Sequence, residues 1–221
     1  MGSNMTTKHD YFQHPTCDQW NNARVNVLVG ALGADWFPGK RILDVGCGHG
    51  NNGRLLAKLG AEAVFTDGRQ FFVDFMKEDG FEAYLVDQDK EWTVPGHFDL
   101  IVHWGLLYHL DNWKQDLACC LKVAPMLCLE TEIIDLADPT YEQKKNEMDQ
   151  YDHAVNRIGT VMSANCFQQT IESLGATWER YDVPELNVPP GGGTHYYDWA
   201  ETDSGYFRQG QRRYWIIRRD A

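Results

Sequence analysis

Arg41-Ile42-Leu43-Asp44-Val45-Gly46-Cys47-Gly48-His49-Gly50-Asn51-Asn52-Gly53 is the stretch whose reading decides the fold. Ile42 to Val45 is a short apolar run and reads as a buried strand. It stops on glycines at positions 46, 48 and 50, and the helix-like Arg54-Leu55-Leu56-Ala57-Lys58-Leu59 follows. A strand that breaks on glycines and continues as a helix brings bare backbone and a helix N-terminus up to a ligand.

Upstream, Thr16-Cys17-Asp18-Gln19 fits a capping box. Val25, Leu28, Val29 and Leu32 follow at helical spacing and Gly33 suits a C-cap, so a helix is predicted over 17–32. Downstream, Glu62 to Gly68 reads as a strand ending at Asp67. Residues 69–79 put Phe72, Phe75 and Met76 on one helical face, and Phe81 to Asp87 is a third strand, again ending in an acid. Pro95-Gly96 turns the chain into a fourth strand, Phe98 to His103. Asp111 is expected to cap a helix carrying Trp113, Leu117, Cys120 and Leu121, and Met126 to Glu130 is a fifth strand.

Strands alternating with helices at this spacing make an α/β protein with a parallel sheet. Ligands of such sheets bind at the carboxyl ends of the strands. That rule selects Asp44 to Gly50, Asp67, Asp87, His103 to His109 and Glu130 to Glu132.

The remainder departs from the alternation. Residues 139–157 are strongly polar with a thin Met148/Tyr151/Val155 stripe, read as a surface helix or lid. Ser163 caps a helix bearing Phe167, Ile171 and Leu174, with Gly175 after it. Trp178 to Val183 and Arg212 to Arg219 are two late strands, and the apolar Tyr214-Trp215-Ile216-Ile217 places the last one centrally. Between them, 184–211 is long for a connection and is expected to serve the substrate.

The 221 residues are read as one domain over 5–221, and 43% apolar with 24% charged content is ordinary for a globular chain. A net charge of -12 with no basic block makes nucleic acid an unlikely partner. The six cysteines are scattered without a Cys-x-x-Cys; Cys119, Cys120 and Cys128 lie in apolar runs, which fits a reducing, cytoplasmic setting. No apolar run approaches the roughly 18 residues of a membrane span, so no membrane partner is expected. No His/Asp/Glu spacing indicates a metal.

Three ligands compete for the glycine stretch. A phosphate-binding P-loop would need Lys-Ser or Lys-Thr after its glycines, which is absent. Gly48-x-Gly50-x-x-Gly53 matches a dinucleotide fingerprint, which keeps an NAD dehydrogenase open. S-adenosylmethionine (SAM) explains more, because carboxylates answer its ammonium and its ribose diol. Asp44 lies inside a strand, where an unpaired carboxylate is costly and a cationic network resolves the cost. Asp67 is placed to accept both ribose hydroxyls, and Asp87 to meet the adenine amine.

Ile42 to Gly50 closely resembles the first motif of class I SAM-dependent methyltransferases, and Asp67, Asp87 and Phe98-Asp99-Leu100-Ile101-Val102 fall where that family has its further motifs. The resemblance covers roughly residues 40–135. It implies a three-layer Rossmann-like methyltransferase fold, with a mostly parallel seven-stranded sheet and an antiparallel last strand. It also implies cofactor contacts from Asp44, Gly46, Cys47, Gly48 and Gly50 beneath the methionine moiety. Asp67 and Gly68 would serve the ribose, Asp87 and Gln88 the adenine, with His103 and Trp104 at the end of the fourth strand. A weaker resemblance over 98–135, on His103-Trp104-Gly105-Leu106-Leu107-Tyr108-His109-Leu110 and Leu129-Glu130-Thr131-Glu132, is to the wobble-uridine carboxymethyltransferases of tRNA.

Methyl transfer from a sulfonium needs alignment and exclusion of water, and a hydroxyl acceptor also needs a proton acceptor. His109 and Tyr108 are the catalytic candidates, since histidine has the suitable pKa. Substrate candidates are Glu130 and Glu132, of which at least one is expected to be a solvated edge residue. His195, Tyr196 and Tyr197 follow the Gly191-Gly192-Gly193 triplet, and Tyr11 and His14 approach from the N-terminal side. The expected activity is SAM-dependent methyl transfer to an oxygen or nitrogen of a small-molecule or sugar-bearing (glycan) acceptor, leaving S-adenosyl-L-homocysteine (SAH). The alternatives are an RNA-modifying transferase and a SAM-binding module without transferase activity.

Overall fold

The computed structural model describes residues 15–148, 153–188, 195–205 and 210–219. Tyr11 and His14 lie outside the described residues.

The first described helix, α1, is Pro15–Leu32. It begins upstream of Thr16, so Thr16 is within the helix and the capping-box expectation fails. Proline suits a first turn because its missing N–H would have had no partner there. Then follow β1 (Arg41–Val45), α2 (Asn51–Lys58), β2 (Glu62–Asp67), α3 (Gln70–Glu78), β3 (Glu82–Leu85) and β4 (Leu100–Trp104). The later elements are α4 (Trp113–Val123), β5 (Met126–Ile134), β6 (Glu142–Asn146), β7 (Ile158–Ser163), α5 (Ala164–Ser173), β8 (Ala176–Arg180) and β9 (Arg212–Arg219).

Strands β3, β2, β1, β4 and β5 lie side by side and parallel. β9 runs antiparallel beside β5, and β8 pairs antiparallel on its other side. The last strand is therefore internal, as its apolar run required. These seven strands make the expected sheet. A hairpin of β6 and β7 is added, with β7 parallel to the far end of β5 through Ile133↔Met162 and Ile134↔Ser163.

That hairpin corrects the reading of 139–157 in part, because 142–146 is a strand and not a surface helix. Its sequence, Glu-Gln-Lys-Lys-Asn, has no apolar period, yet its backbone pairs with the largely buried β7. Lysine on an edge strand also blocks further pairing. The start of α4 needs a smaller correction: its N-cap is Asn112, without a side-chain cap bond. Asp111 instead pairs with Lys144 at 2.5 Å. Ser163 does cap α5, its Oγ accepting from Cys166 N at 3.0 Å.

Side chains alternate across each strand, so one sheet fills two apolar layers. Ile42, Leu100, Val102, Tyr214 and Ile216 pack with Leu28 and Leu56 on the α1/α2 side. Leu43, Ile101, Leu127, Leu129 and Trp215 pack with Trp113, Leu117 and Phe167 on the α4/α5 side. All six cysteines are buried and none forms a disulfide. Among the described residues, no helix is long and apolar enough to cross a membrane.

Candidate functional site

A cavity of about 680 Å³ opens at the carboxyl ends of the parallel strands, where the fold rule put it. One wall is the loop between β1 and α2. Gly46 and Gly48 have φ of +66° and +52°, a region that disfavours side chains. A Cβ on Gly46 would come within 2.6 Å of Leu106 Cδ2, whereas Gly48 faces open space. Gly46, Cys47 and Gly48 line the cavity.

Asp44 is buried beneath this wall and does not line the cavity. Its Oδ2 accepts from Gly53 N at 2.8 Å, so it pins the first turn of α2. Burial raises its pKa to about 7 against the pull of the Gly53 N–H and Arg24. Gly50 is the N-cap of α2, and a Cβ there would meet Met76 rather than the cavity. Asp44 and Gly50 therefore shape the loop from behind.

Asp67 is buried at the end of β2 and lines the cavity. Its Oδ2 accepts from Gly48 N and its Oδ1 from Arg69 N, each at 2.9 Å. Burial raises its pKa, opposed by those two N–H groups. Gly68, Asp87 and Gln88 continue the wall. Asp87 is half-buried and pairs with Lys90 at 2.8 Å. Gln88 is buried, and its Nε2 has no hydrogen-bond partner among the described residues.

Trp104 faces the cavity, but His103 does not. Neighbours on a strand point to opposite faces. The buried His103 ring turns to α4, with Nε2 2.7 Å from Asp116 Oδ2, and Trp92 Nε1 donates to the other Asp116 oxygen at 2.8 Å. One ligand atom each of His103, Asp116 and Cys120 lies within 4.8 Å of the others, in this interior layer apart from the cavity.

The other end of the cavity holds a chain of alternating charges. Arg24 Nη1 pairs with Glu130 Oε2 at 3.2 Å, and Glu130 Oε1 with Arg212 Nη1 at 2.8 Å. Arg212 Nη2 donates to Glu132 Oε1 at 3.2 Å and to the Tyr108 hydroxyl at 3.0 Å. Lys145 Nζ is 3.5 Å from both Glu132 Oε2 and Glu147 Oε1. Glu147 Oε2 ends the chain 2.7 Å from His109 Nδ1. Burial pushes the Glu147 carboxyl up, but His109, the Ala154 N–H and Lys145 outweigh it and hold it at about 2. Burial raises the Tyr108 hydroxyl, so it is a protonated donor and not a base.

Neither Glu130 nor Glu132 is a solvated edge residue, because the arginine of β9 draws both into the interior. Glu130 is sealed off entirely and does not line the cavity, whereas Glu132 does. His195 lines the cavity with its ring 4.6 Å from Trp20. Burial, then Arg212 and Arg24, lower its pKa to about 2, so it stays neutral. Tyr197 is fully buried away from the cavity, accepting from Trp20 Nε1 at 2.8 Å. Tyr196 forms a backbone bridge with Gln211 and does not line the cavity either.

The β6–β7 hairpin reaches across the opening. Arg69 Nη2 donates to the His153 carbonyl at 3.2 Å and Asn156 Nδ2 to Asp89 Oδ2 at 3.0 Å. Val155 sits against Gly68, 2.8 Å from where a Cβ there would be. Arg24, Arg212, Lys145 and Glu147 were not singled out from the sequence. Only Arg212 carried a signal: it opens a strand facing two alternating glutamates.

The family model described as "Methyltransferase domain" matches residues 22–180. A tRNA U34 carboxymethyltransferase of Trichlorobacter lovleyi is 33% identical over 110 residues, 44% of this chain and 33% of that protein. A ubiquinone biosynthesis O-methyltransferase of Hahella chejuensis is 28% identical over 95 residues, 40% of each chain. This chain thus spans about a third of the first of these relatives and 40% of the second. The N-terminal domain of EvdMO1, solved in the presence of SAH and D-fucose, superposes with a TM-score of 0.62 at 16% identity, covering 100% of this chain and 86% of that one. Relatives named for RNA and for small-molecule chemistry both match, so the acidity-based expectation against nucleic acid has no support from them. The chain belongs to the methyltransferase-domain family, and its fold is that of the SAM-dependent methyltransferases.

Proposed function

We propose that this chain, a SAM-dependent methyltransferase by family and fold, methylates an oxygen or nitrogen of a small-molecule or sugar-bearing acceptor in the cytoplasm. The observation that carries the reading is the junction of Gly48 and Asp67, where loop backbone and a buried acid share one wall of the cavity. Asp67 accepts backbone N–H groups at both oxygens, and the carboxylate's remaining lone pairs are left for the ribose hydroxyls. Gln88 brings an unpaired buried amide to the adenine end, and Asp87 stands beside it. Gly46, Cys47 and Gly48 would lie beneath the methionine moiety. A volume of about 680 Å³ suits a ligand of this size with room for an acceptor.

Bound SAM supplies a methyl group already activated on a sulfonium. The chain's own residues align the acceptor, exclude water and hold its proton. Trp104, Tyr108, Glu132 and His195 surround the acceptor end, and the described residues 145–148 and 153–155 of the proposed lid line it. His109 is the base for a hydroxyl, and Tyr108 is held as a donor by Arg212. The segment 184–211 supplies His195 to the same wall.

The experiment is transfer of radiolabelled methyl from SAM into a pool of hydroxylated and amino small molecules. Label in the small-molecule fraction supports the reading, and SAM binding without transfer contradicts it in favour of a binding module. A second reading, RNA modification, draws on the tRNA-modifying relative, and label rendered soluble by ribonuclease would favour it.

A further inference from the structure

The carboxylate of Glu147, which lines the cavity, ties the turn after β4 to the β6–β7 hairpin. Oε2 meets His109 Nδ1 at 2.7 Å and also accepts from Ala154 N at 2.7 Å, while Oε1 lies 3.5 Å from Lys145. His109 belongs to the short turn after β4 and Glu147 follows β6. Among the described residues, the other charged or titratable groups around His109 are Tyr108 on its own turn, at 4.1 Å between rings, and His153 from the hairpin, at 6.2 Å. Lys145 stands behind Glu147, and Arg212 with Glu132 stands behind Tyr108.

An ionised carboxylate only accepts hydrogen bonds. Glu147 is held ionised at neutral pH by His109, the Ala154 N–H and Lys145 against its burial. The Nδ1 that meets it must therefore carry hydrogen, and the neutral ring is left with a bare Nε2. Free imidazole has no such constraint, and a ring in the other tautomer would offer an N–H where a base needs a lone pair.

We infer that Glu147 is the positioning residue of this site, fixing His109 in the tautomer whose Nε2 takes the proton of an acceptor hydroxyl. The inference rests on the proposed transfer to oxygen. In that step the acceptor O–H bond breaks and its proton passes to Nε2. The oxygen forms a bond to the methyl carbon as the methyl–sulfur bond breaks, and sulfur keeps the electron pair. The products are the methyl ether, SAH and a His109 imidazolium, which returns its proton to water. The hairpin thus brings to the site a part of the proton-accepting machinery as well as a cover.

The test is nitrogen-15 NMR of the histidine rings in the full chain with SAH present. The His109 signals are assigned by their loss in His109→Asn. The expected neutral wild-type ring is protonated at Nδ1 and bare at Nε2, and Glu147→Ala loses that preference and shows Nε2–H. A wild-type ring protonated at Nε2, or an unchanged ring in Glu147→Ala, overturns the assignment. Should the alanine variant fail to fold, the wild-type form decides alone. Titration with SAH separates the two readings: a wild-type chain that does not bind SAH sinks the donor assignment, while the ring nitrogens still decide the role of Glu147.

Discussion

Arg212 on β9 and Glu130 on β5 form an ion pair of 2.8 Å with neither side chain open to solvent. The same glutamate also meets Arg24 of α1 at 3.2 Å, so one buried carboxylate joins the first helix to the last strand across the sheet. Arg212 faces Glu132 directly in the antiparallel register and reaches Glu130 two residues along on the same face.

Removing that carboxylate leaves two buried guanidiniums short of a partner. Breaking one side of a buried pair costs about 3–5 kcal/mol. Glu130→Gln, which keeps the shape, is expected to lose stability of that size in urea unfolding. A loss below about 1 kcal/mol, the range of an exposed pair, would show that the pair is open to water.

Gly53 carries a second prediction. A Cβ there would lie 2.4 Å from Phe65 Cε1 and 3.1 Å from Asp44 Oδ2. The ring is buried against Phe81 and has little room to give. Gly53→Ala should destabilise by about 1–3 kcal/mol, the usual cost of overpacking. Helix propensity alone would have favoured alanine at this position, so a stabilised variant would show that Phe65 moves aside.

The pH dependence of stability tests Asp44. Its carboxyl titrates at about 7 in the folded chain, against an ordinary value of 3.8. Between those values the folded state holds a proton that the unfolded state releases. The group therefore contributes full stability below about pH 4, loses it as pH rises toward 7, and is level above that. Each pH unit separating the folded from the unfolded titration is worth about 1.4 kcal/mol. Asp44→Asn keeps an oxygen for the Gly53 N–H and removes the titration. Relative to that variant, the wild type should lose stability between pH 5 and pH 8 in paired urea melts. A parallel pair of pH curves would show that Asp44 is already ionised in the folded chain.

Asp67→Ala should weaken SAH binding. A hydrogen bond to a charged group is worth about 1.5–3 kcal/mol, which is roughly ten- to hundredfold in affinity. The variant also releases Gly48 N from its partner. Unchanged affinity by calorimetry would remove Asp67 from the donor site.

The parallel core of the fold was legible because its strands are short apolar runs that end at glycines or acids, and helices α2 to α5 each show one apolar face. The glycine-and-acid wall of the cavity was legible for the same reason, since strand ends are marked in the sequence and the fold puts them at the cavity. The charged chain at its other end was not. Arg24 and Glu130 are 106 positions apart and His109 and Glu147 are 38 apart, so no local pattern announces either pair. Strand β6 was missed because it is made by backbone pairing with β7, while its side chains are largely exposed and aperiodic. His103 was open to correction from the sequence itself. It alternates with Trp104, and only one of two neighbours on a strand can face the ligand.

SAM binding in the cavity at the strand ends is tested most directly by calorimetric titration of the full chain with SAH and, separately, with NAD. The expected result is saturable binding of one SAH per chain and none of NAD. Binding of NAD without SAH would contradict a SAM site.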